Sequence, residues 1–313
     1  MGDKKSRQMI HRARKKNNNA VIAVVGCYSQ IAPDKVSEIE GVDVVLGTRN
    51  KGDVVYWVSR VSYEGKKIVK VNDVLKNKTF EDLKIDKYQK RTRAFLKIQD
   101  GCNRFCSYCA IPFARGAVCS KSPDKIIEEV EKLSRNNFKE IILSGIHIAS
   151  YGTDIDGDWN LLRILQEIDK VKGIDRVRIG SIDPQFFTEG VIEKMSKLEK
   201  LCPHFHLSLQ SGCDETLKRM NRRYTTSEYE KIVYEIRNAI ENASVTTDII
   251  VGFPGETEEE FNKTYDFLNR IALSKMHVFK YSRRNGTKAA DMPGQVDGKT
   301  KDERSSRILE LDK

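Results

Sequence analysis

Three cysteines crowd into eight residues, Cys102-Asn103-Arg104-Phe105-Cys106-Ser107-Tyr108-Cys109. The spacing is C-x-x-x-C-x-x-C, with an aromatic side chain directly before the last thiol. Three thiolates on one short loop can hold three corners of an iron–sulfur cube, which leaves the fourth iron without a protein ligand. An iron left open in this way can bind a substrate or cofactor. The same spacing admits a zinc site completed by Cys119 or a histidine, although closed zinc sites more often pair two C-x-x-C knuckles and no second knuckle follows. The seven cysteines of the chain are an odd number. A secreted disulfide framework would spread them more evenly, so metal ligation in a reducing, cytoplasmic setting is the expectation.

The elements that must position this loop are legible as a rhythm. From residue 93 onward short strands are expected at 94–98, 141–143, 176–181, 205–210, 246–251 and 276–281, with helices near 123–136, 160–170, 188–197, 227–240 and 257–271. These are six β/α units of about 30 residues, the size of a βαβ crossover, and they predict an α/β fold whose parallel sheet curls into a partial barrel. Phe205, Leu207 and Leu209 alternate with His206, Ser208 and Gln210, as Val177 and Ile179 do with Arg178 and Gly180. Strands buried on both faces read as continuous apolar runs, so the alternation predicts one polar face lining a cavity. Barrel sites lie at the C-terminal strand ends. Four strands end there in distinctive loops: Asp100-Gly101-Cys102, Ser144-Gly145-Ile146-His147, Gln210-Ser211-Gly212 and Gly252-Phe253-Pro254-Gly255.

Upstream, a basic helix over 4–16 is broken by Asn17-Asn18-Asn19, and a buried strand over 20–25, a second strand over 42–46 and a helix over 53–61 follow. This predicts a small α/β unit of about 80 residues, with 71–89 as linker because it mixes charge with turn-prone Asn72, Asp73 and Asn77. The expected domains are residues 1–88 and 89–313.

The 55 basic and 45 acidic residues give a net charge of +10. The excess sits in two places, at Lys4, Lys5, Arg7, Arg12, Arg14, Lys15 and Lys16 against Asp3, and at Lys84, Lys87, Lys90, Arg91, Arg93 and Lys97 against Asp86. Locally basic segments suit a polyanion such as RNA. The richest apolar run, residues 20–25, is far below the 18 or so residues of a membrane helix and too short for a signal peptide, so no membrane span is expected.

The cysteine motif after the first strand of a six-unit β/α barrel resembles the radical S-adenosylmethionine (SAM) superfamily. Within it, Gly145-Ile146-His147 with Ser150-Tyr151-Gly152, Leu209-Gln210-Ser211-Gly212-Cys213-Asp214, Met220-Asn221-Arg222-Arg223-Tyr224-Thr225-Thr226, Thr247-Asp248 to Gly252-Phe253-Pro254-Gly255-Glu256 and Val278-Phe279-Lys280-Tyr281-Ser282-Arg283-Arg284 look like the methylthiotransferases, of the MtaB type that modifies tRNA. The resemblance covers essentially the whole chain. It implies a partial (β/α)6 radical SAM barrel behind a small N-terminal α/β domain, with a [4Fe-4S] cluster on Cys102, Cys106 and Cys109. SAM would chelate the open iron and, on one-electron reduction, yield a 5'-deoxyadenosyl radical. A second [4Fe-4S] cluster on the N-terminal domain would supply sulfur, a second SAM the methyl group, and an electron donor such as a flavodoxin or ferredoxin the electron. The implied product is the 2-methylthio derivative of N6-threonylcarbamoyladenosine beside the anticodon. Implied SAM contacts are Gly145, Ser181, Asp183, Gln210, Gly252, Phe253, Pro254 and Gly255.

The sequence departs from the family pattern in places. Of the three N-terminal cluster cysteines only the third is matched, by Cys27 in Val25-Gly26-Cys27-Tyr28-Ser29-Gln30. The family also carries sequence upstream of Met1 and a small β-rich RNA-binding domain after the barrel. The polypeptide is therefore expected to be truncated at both ends, to bind the barrel cluster and SAM, to fail at sulfur insertion and to bind tRNA weakly. Cys119 replaces the usual arginine, and Lys280 and Asn285 replace common prolines. Away from the resemblance, Cys27, Cys202 and Cys213 read as buried small apolar residues, and His147, His204 and His206 as hydrogen-bonded groups. The alternatives are a methylthiotransferase acting on isopentenyladenosine tRNA or a ribosomal-protein aspartate, and a zinc-stabilised RNA-binding module. Gly145-Ile146-His147 stands against the first two, whose members resemble Gly-Gln-Asn or Ala-Gln-Asp there.

Overall fold

The computed structural model describes residues 2–76, 79–83 and 92–313. It divides into two compact units, one comprising Met1–Asp86, Gly101–Asn103 and Ile111–Cys119, the other Lys87–Asp100, Arg104–Ala110 and Ser120–Lys313. The expected boundary between residues 88 and 89 lies outside the described residues, as do Lys84, Asp86, Lys87, Lys90 and Arg91 of the second basic segment.

In the smaller unit, strands β1 (Ala23–Val25), β2 (Val44–Leu46) and β3 (Ile68–Lys70) form a parallel sheet in that order. Central β2 is buried throughout, which explains its unbroken apolar run. Helices α1 (Gly2–Lys16), α2 (Cys27–Ile31), α3 (Pro33–Ser37) and α4 (Val54–Glu64) complete it. Val45 packs with Ile10, Ile22, Val36 and Val42, while Val44 and Leu46 pack with Val61 of α4. The strand expected to be buried over 20–25 is shorter, and as an edge strand with a single neighbour it leaves Val25 36% exposed. Strand β3 escaped the sequence reading because Lys66, Lys67 and Lys70 leave only Ile68 and Val69 as an apolar signal. The expected linker packs against this unit in its described residues: Val74 is buried, and Glu81 forms an ion pair with Lys51.

In the larger unit, β4 (Arg93–Lys97), β5 (Glu140–Ser144) and β6 (Arg176–Ile179) pair in parallel, as do β7 (His204–His206), β8 (Ser244–Val251) and β9 (Lys275–Lys280). Bridges Val177 to Leu201 and Ile182 to Leu207 join the two sets, so six strands run parallel in chain order. Helices α6 (Pro123–Arg135), α7 (Leu161–Asp169), α8 (Val191–Ser196), α9 (Asp214–Arg219), α10 (Thr226–Ala239), α11 (Glu258–Ile271) and α12 (Gly298–Leu311) intervene or follow; α5 (Ile111–Arg115) belongs to the smaller unit. Thr225 with Glu228 and Thr257 with Glu260 form capping boxes that fix the starts of α10 and α11. No described helix is long and apolar enough to cross a membrane.

Alternation places Leu96, Leu143, Val177, Ile179, Phe205 and Leu207 in one core with Ile126, Ile164 and Phe261 of the helices. Each such buried side chain contributes about 1.5–3 kcal/mol relative to exposure. The opposite face is polar, as the alternation predicts: Arg178 lies 3.7 Å from Glu140, and His206 joins Thr246 at 2.9 Å and Asp248 at 3.2 Å.

Gly152 has φ +91°, and an added Cβ would stand 2.0 Å from the Trp159 carbonyl oxygen. Its N–H donates to Ser120 Oγ at 2.9 Å. Gly152→Ala is expected to cost about 2 kcal/mol or more, read as a lower urea midpoint at unchanged slope; an unchanged midpoint would contradict the close approach.

Candidate cofactor site

The loop after β4 carries the cysteine motif. At Gly101 φ is +71° and a Cβ would meet the Ala117 carbonyl oxygen at 1.9 Å, so only glycine turns the chain there. Within the smaller unit the Cys102 N–H donates to Gly116 O at 3.0 Å and Asn103 Oδ1 accepts from the Val118 N–H at 3.2 Å.

Within the larger unit the remainder of the loop is pinned from behind. The Ser107 N–H donates to Met220 O at 3.0 Å, its hydroxyl donates to Arg219 O at 2.8 Å, and its carbonyl accepts from the Ala289 N–H at 2.8 Å. Asn221 Nδ2 donates to Phe105 O at 2.9 Å. Phe105 and Asn221 both hold left-handed backbone, φ 50° and 60°; asparagine adopts it readily, whereas a bulky phenylalanine keeps it only where the surroundings over-determine it, often at functional sites. Tyr108, the aromatic before the last cysteine, turns inward with its ring edge-on to Phe253 at 6.4 Å, and Phe253 packs on Tyr281 at 5.4 Å. Inward rotation of Tyr108 leaves the flanking thiols Cys106 and Cys109 half-buried at the surface.

A buried cation stands beside Cys106. Arg222 Nη1 donates to Cys106 Sγ at 3.4 Å, Nη2 to Asp183 Oδ2 at 3.1 Å and Nε to Tyr224 Oη at 2.9 Å, with only 8% of the side chain exposed. The Tyr224 hydroxyl donates in turn to Leu209 O at 2.8 Å. On its other side Asp183 lies 3.6 Å from His147 Nε2. Burial pushes the Asp183 carboxyl up, but the adjoining His147 ring and the Arg222 charge outweigh it and hold the group at about 2. His147 is fixed by Ser150 Oγ at 2.7 Å from Nδ1, and its backbone N–H donates to Gln99 Oε1 at 2.7 Å.

The loops expected to contact SAM are held as firmly. A Cβ on Gly145 would meet Ile148 Cγ2 at 2.8 Å and Gln99 Oε1 at 2.9 Å. Ser181 and Ser208 share a hydroxyl hydrogen bond of 2.7 Å at an exposed position. Regular β7 covers only His204–His206 of the strand expected over 205–210, but bridges at Leu207 and Gln210 carry the parallel pairing to Gln210, where φ is 71°. The Gly252 N–H donates to Glu256 Oε1 at 2.8 Å, and the Gly255 N–H to Gly294 O at 2.8 Å. Phe253 and Pro254 are buried, so the Phe253 side chain serves Tyr108, not an open surface.

Arg222 therefore links Asp183 to Cys106, Phe253 links the Gly252–Gly255 loop to Tyr108, and Gly145 stands against Gln99. Cys27 begins α2 in the smaller unit and is exposed, not buried. Cys119, Cys202 and Cys213 are buried, and burial pushes the Cys202 and Cys213 thiols up. Among the described residues no three histidine, cysteine or carboxylate side chains stand together as a preformed metal cage. The fit of the cysteine loop to a cluster therefore rests on its donor set, three thiols on one anchored loop with a cation beside one of them. A groove of about 1140 Å³ between α8 and α10 is lined by Glu189, Glu193, Glu228 and Lys231 and lacks cysteine and histidine, so it is not this site. Arg222 and Tyr224 carried no role in the sequence reading, although both stand in the quoted Met220–Thr226 segment; only the fold brings them to the cysteine loop.

Six parallel strands with a C-x-x-x-C-x-x-C loop after the first define a radical SAM type of barrel, and residues 96–268 match the Radical SAM superfamily. The chain is 43% identical, over 99% of its length and 69% of the relative's, to the threonylcarbamoyladenosine tRNA methylthiotransferase MtaB of Bacillus subtilis. It is 38% identical to the protein of the same name from Aquifex aeolicus, over 99% of this chain and 75% of that one. The tRNA-2-methylthio-N(6)-dimethylallyladenosine synthase of Clostridium tetani is 37% identical over 95% and 66% of the two chains. The chain belongs to the MtaB-type methylthiotransferases of the radical SAM superfamily. Among solved structures, the radical SAM methyltransferase TsrM of Kitasatospora setae superposes with a TM-score of 0.53 at 17% identity, covering 63% of this chain and 38% of that one, and shares the fold.

Proposed function

We propose that this chain is a tRNA methylthiotransferase acting at C2 of N6-threonylcarbamoyladenosine beside the anticodon. The observation that carries the reading is the anchored loop of Cys102, Cys106 and Cys109 in a chain similar over 99% of its length to enzymes of that name. The three thiolates would hold a [4Fe-4S] cluster whose open iron takes SAM. When bound, the cluster and SAM supply a one-electron route to an unactivated ring carbon. The chain's own residues prepare the site. Ser107 and Asn221 fix the loop, the exposed Ser181 and Ser208 hydroxyls suit a ribose, and Asp183 stays ionised to hold Arg222. Gly145, Gln210 and the Gly252–Gly255 backbone line the C-terminal strand ends where SAM would lie.

Cys27, exposed at the start of α2, is available as one ligand of a second, sulfur-donating cluster. Of the basic residues in 1–20, Arg14 is spent on Asp43 and on the Gly41 and Ala20 carbonyls, whereas Lys4, Lys5, Arg12, Lys15 and Lys16 are exposed and suited to phosphate contact. In the second segment Arg93 pairs with Glu140 and Lys97 with Asp100, which reduces their value as phosphate contacts. The reading includes a cytoplasmic setting and a low-potential donor such as a flavodoxin or ferredoxin.

Mass spectrometry of tRNA nucleosides from a deletion strain complemented with this gene tests the substrate. The expected product is 2-methylthio-N6-threonylcarbamoyladenosine. A methylthio group found only on isopentenyladenosine would overturn the choice in favour of the activity named for the Clostridium tetani relative.

A further inference from the structure

We infer that Arg222 is a positioning residue that sets how readily the cluster on the cysteine loop accepts an electron, by holding a fixed positive charge and an N–H against Cys106 Sγ. The inference rests on the reading that this loop carries a [4Fe-4S] cluster. Three observations carry it. Arg222 Nη1 donates to the Cys106 sulfur at 3.4 Å. The guanidinium is buried and held by three further acceptors, Asp183 Oδ2 and Ser208 O on Nη2 and Tyr224 Oη on Nε. Finally, Arg222 comes from a different loop from the cysteines, so the contact is made by the fold and not by sequence proximity.

The consequence follows from charge. One-electron reduction takes a cluster from the 2+ to the 1+ level, the electron coming from an external low-potential one-electron donor, and adds one negative charge to the iron, sulfide and thiolate assembly. A cation and an N–H donor at a ligand sulfur favour the more negative state, and hydrogen bonds to sulfur and nearby charge are established levers on such potentials. Asp183 works in the opposite direction. It holds the guanidinium in place and offsets part of its charge. Arginine suits this position better than lysine because a planar fork can satisfy the sulfur, a carboxylate and a phenol at once.

The test is a potentiometric titration of the anaerobically reconstituted protein followed by electron paramagnetic resonance, with iron content and thermal unfolding measured alongside. Arg222→Gln is expected to lower the midpoint potential, Arg222→Lys to lower it by less because the charge is kept, and Asp183→Asn to raise it. The opposite signs separate charge tuning from a packing role, which would move the variants together or not at all. Should Arg222→Gln fail to fold, the sign of the Asp183→Asn and Arg222→Lys shifts decides. Wild-type potential in variants that carry a full complement of iron, or shifts of the same sign in all three, would overturn the inference while leaving the cluster assignment intact. Wild-type protein that takes up no iron on reconstitution would overturn both.

Discussion

Cys106→Ala should reduce the iron of the reconstituted barrel from about four per site to background and abolish reductive SAM cleavage, while leaving the far-ultraviolet circular dichroism unchanged. The reason is the division of labour in the loop. Folding contacts are made by Ser107, Tyr108 and Asn221, which grip the backbone and the core, whereas the Cys106 side chain is half-buried and makes its described contact with Arg222 alone. Removing the sulfur therefore removes a ligand and leaves the scaffold. A [4Fe-4S] cluster left with two thiolates lacks the corner that keeps a single iron open, and chemistry that depends on that iron goes with it. Cys202→Ala is the matched control: Cys202 is buried in the barrel, so its loss should cost on the order of 1 kcal/mol of stability and no iron. Equal iron and SAM cleavage in Cys106→Ala and wild type would contradict the assignment.

The largest stability effect is expected at Arg304. Its guanidinium and the Glu256 carboxylate are both almost wholly buried and meet at 2.7 Å, and the same carboxylate oxygen accepts the Gly252 N–H. The pair thus clamps α12 to the loop that follows β8. Burial pushes the Glu256 carboxyl up, opposed by the Gly252 hydrogen bond and by Arg304. Arg304→Ala strands a buried carboxylate, for which breaking one side of a buried pair costs about 3–5 kcal/mol. The sign of the pH dependence follows. Without the guanidinium, Glu256 takes up a proton in the folded state at a pH where the unfolded chain remains ionised, so the folded state binds the extra proton and gains relative stability as pH falls. The deficit of Arg304→Ala relative to wild type should therefore be largest near about pH 7 and shrink toward about pH 5 in urea titrations. A deficit independent of pH would contradict a stranded carboxylate, and no deficit would contradict the clamp.

The larger unit was legible because its signals are periodic and local. Alternation in Phe205–Gln210 marks a strand within a few residues, and the cysteine spacing marks the site. Other features are invisible in a linear reading. Strand β3 has two apolar residues among lysines and becomes a strand only by pairing with β2. Gln210 looks like the next residue of an alternating strand, yet its left-handed backbone ends the run. Arg222, Asp183 and His147 lie on three different loops, and only the parallel order of the strands brings Arg222 to Cys106 with Asp183 and His147 behind it. Arg14 reads as part of a phosphate-binding surface until the fold places Asp43 and the Gly41 carbonyl against it. Phe253 sits in a loop expected to face the cofactor, but its side chain is the wall against which Tyr108 packs.

The proposed function turns on whether the loop of Cys102, Cys106 and Cys109 carries a cluster with an iron left open for SAM. Anaerobic reconstitution with iron and sulfide, followed by addition of dithionite and SAM and chromatographic detection of 5'-deoxyadenosine, tests it most directly. The expected result is brown protein with about four irons at the barrel site and 5'-deoxyadenosine that forms only when reductant is present. Colourless protein that holds stoichiometric zinc and leaves SAM intact would contradict it.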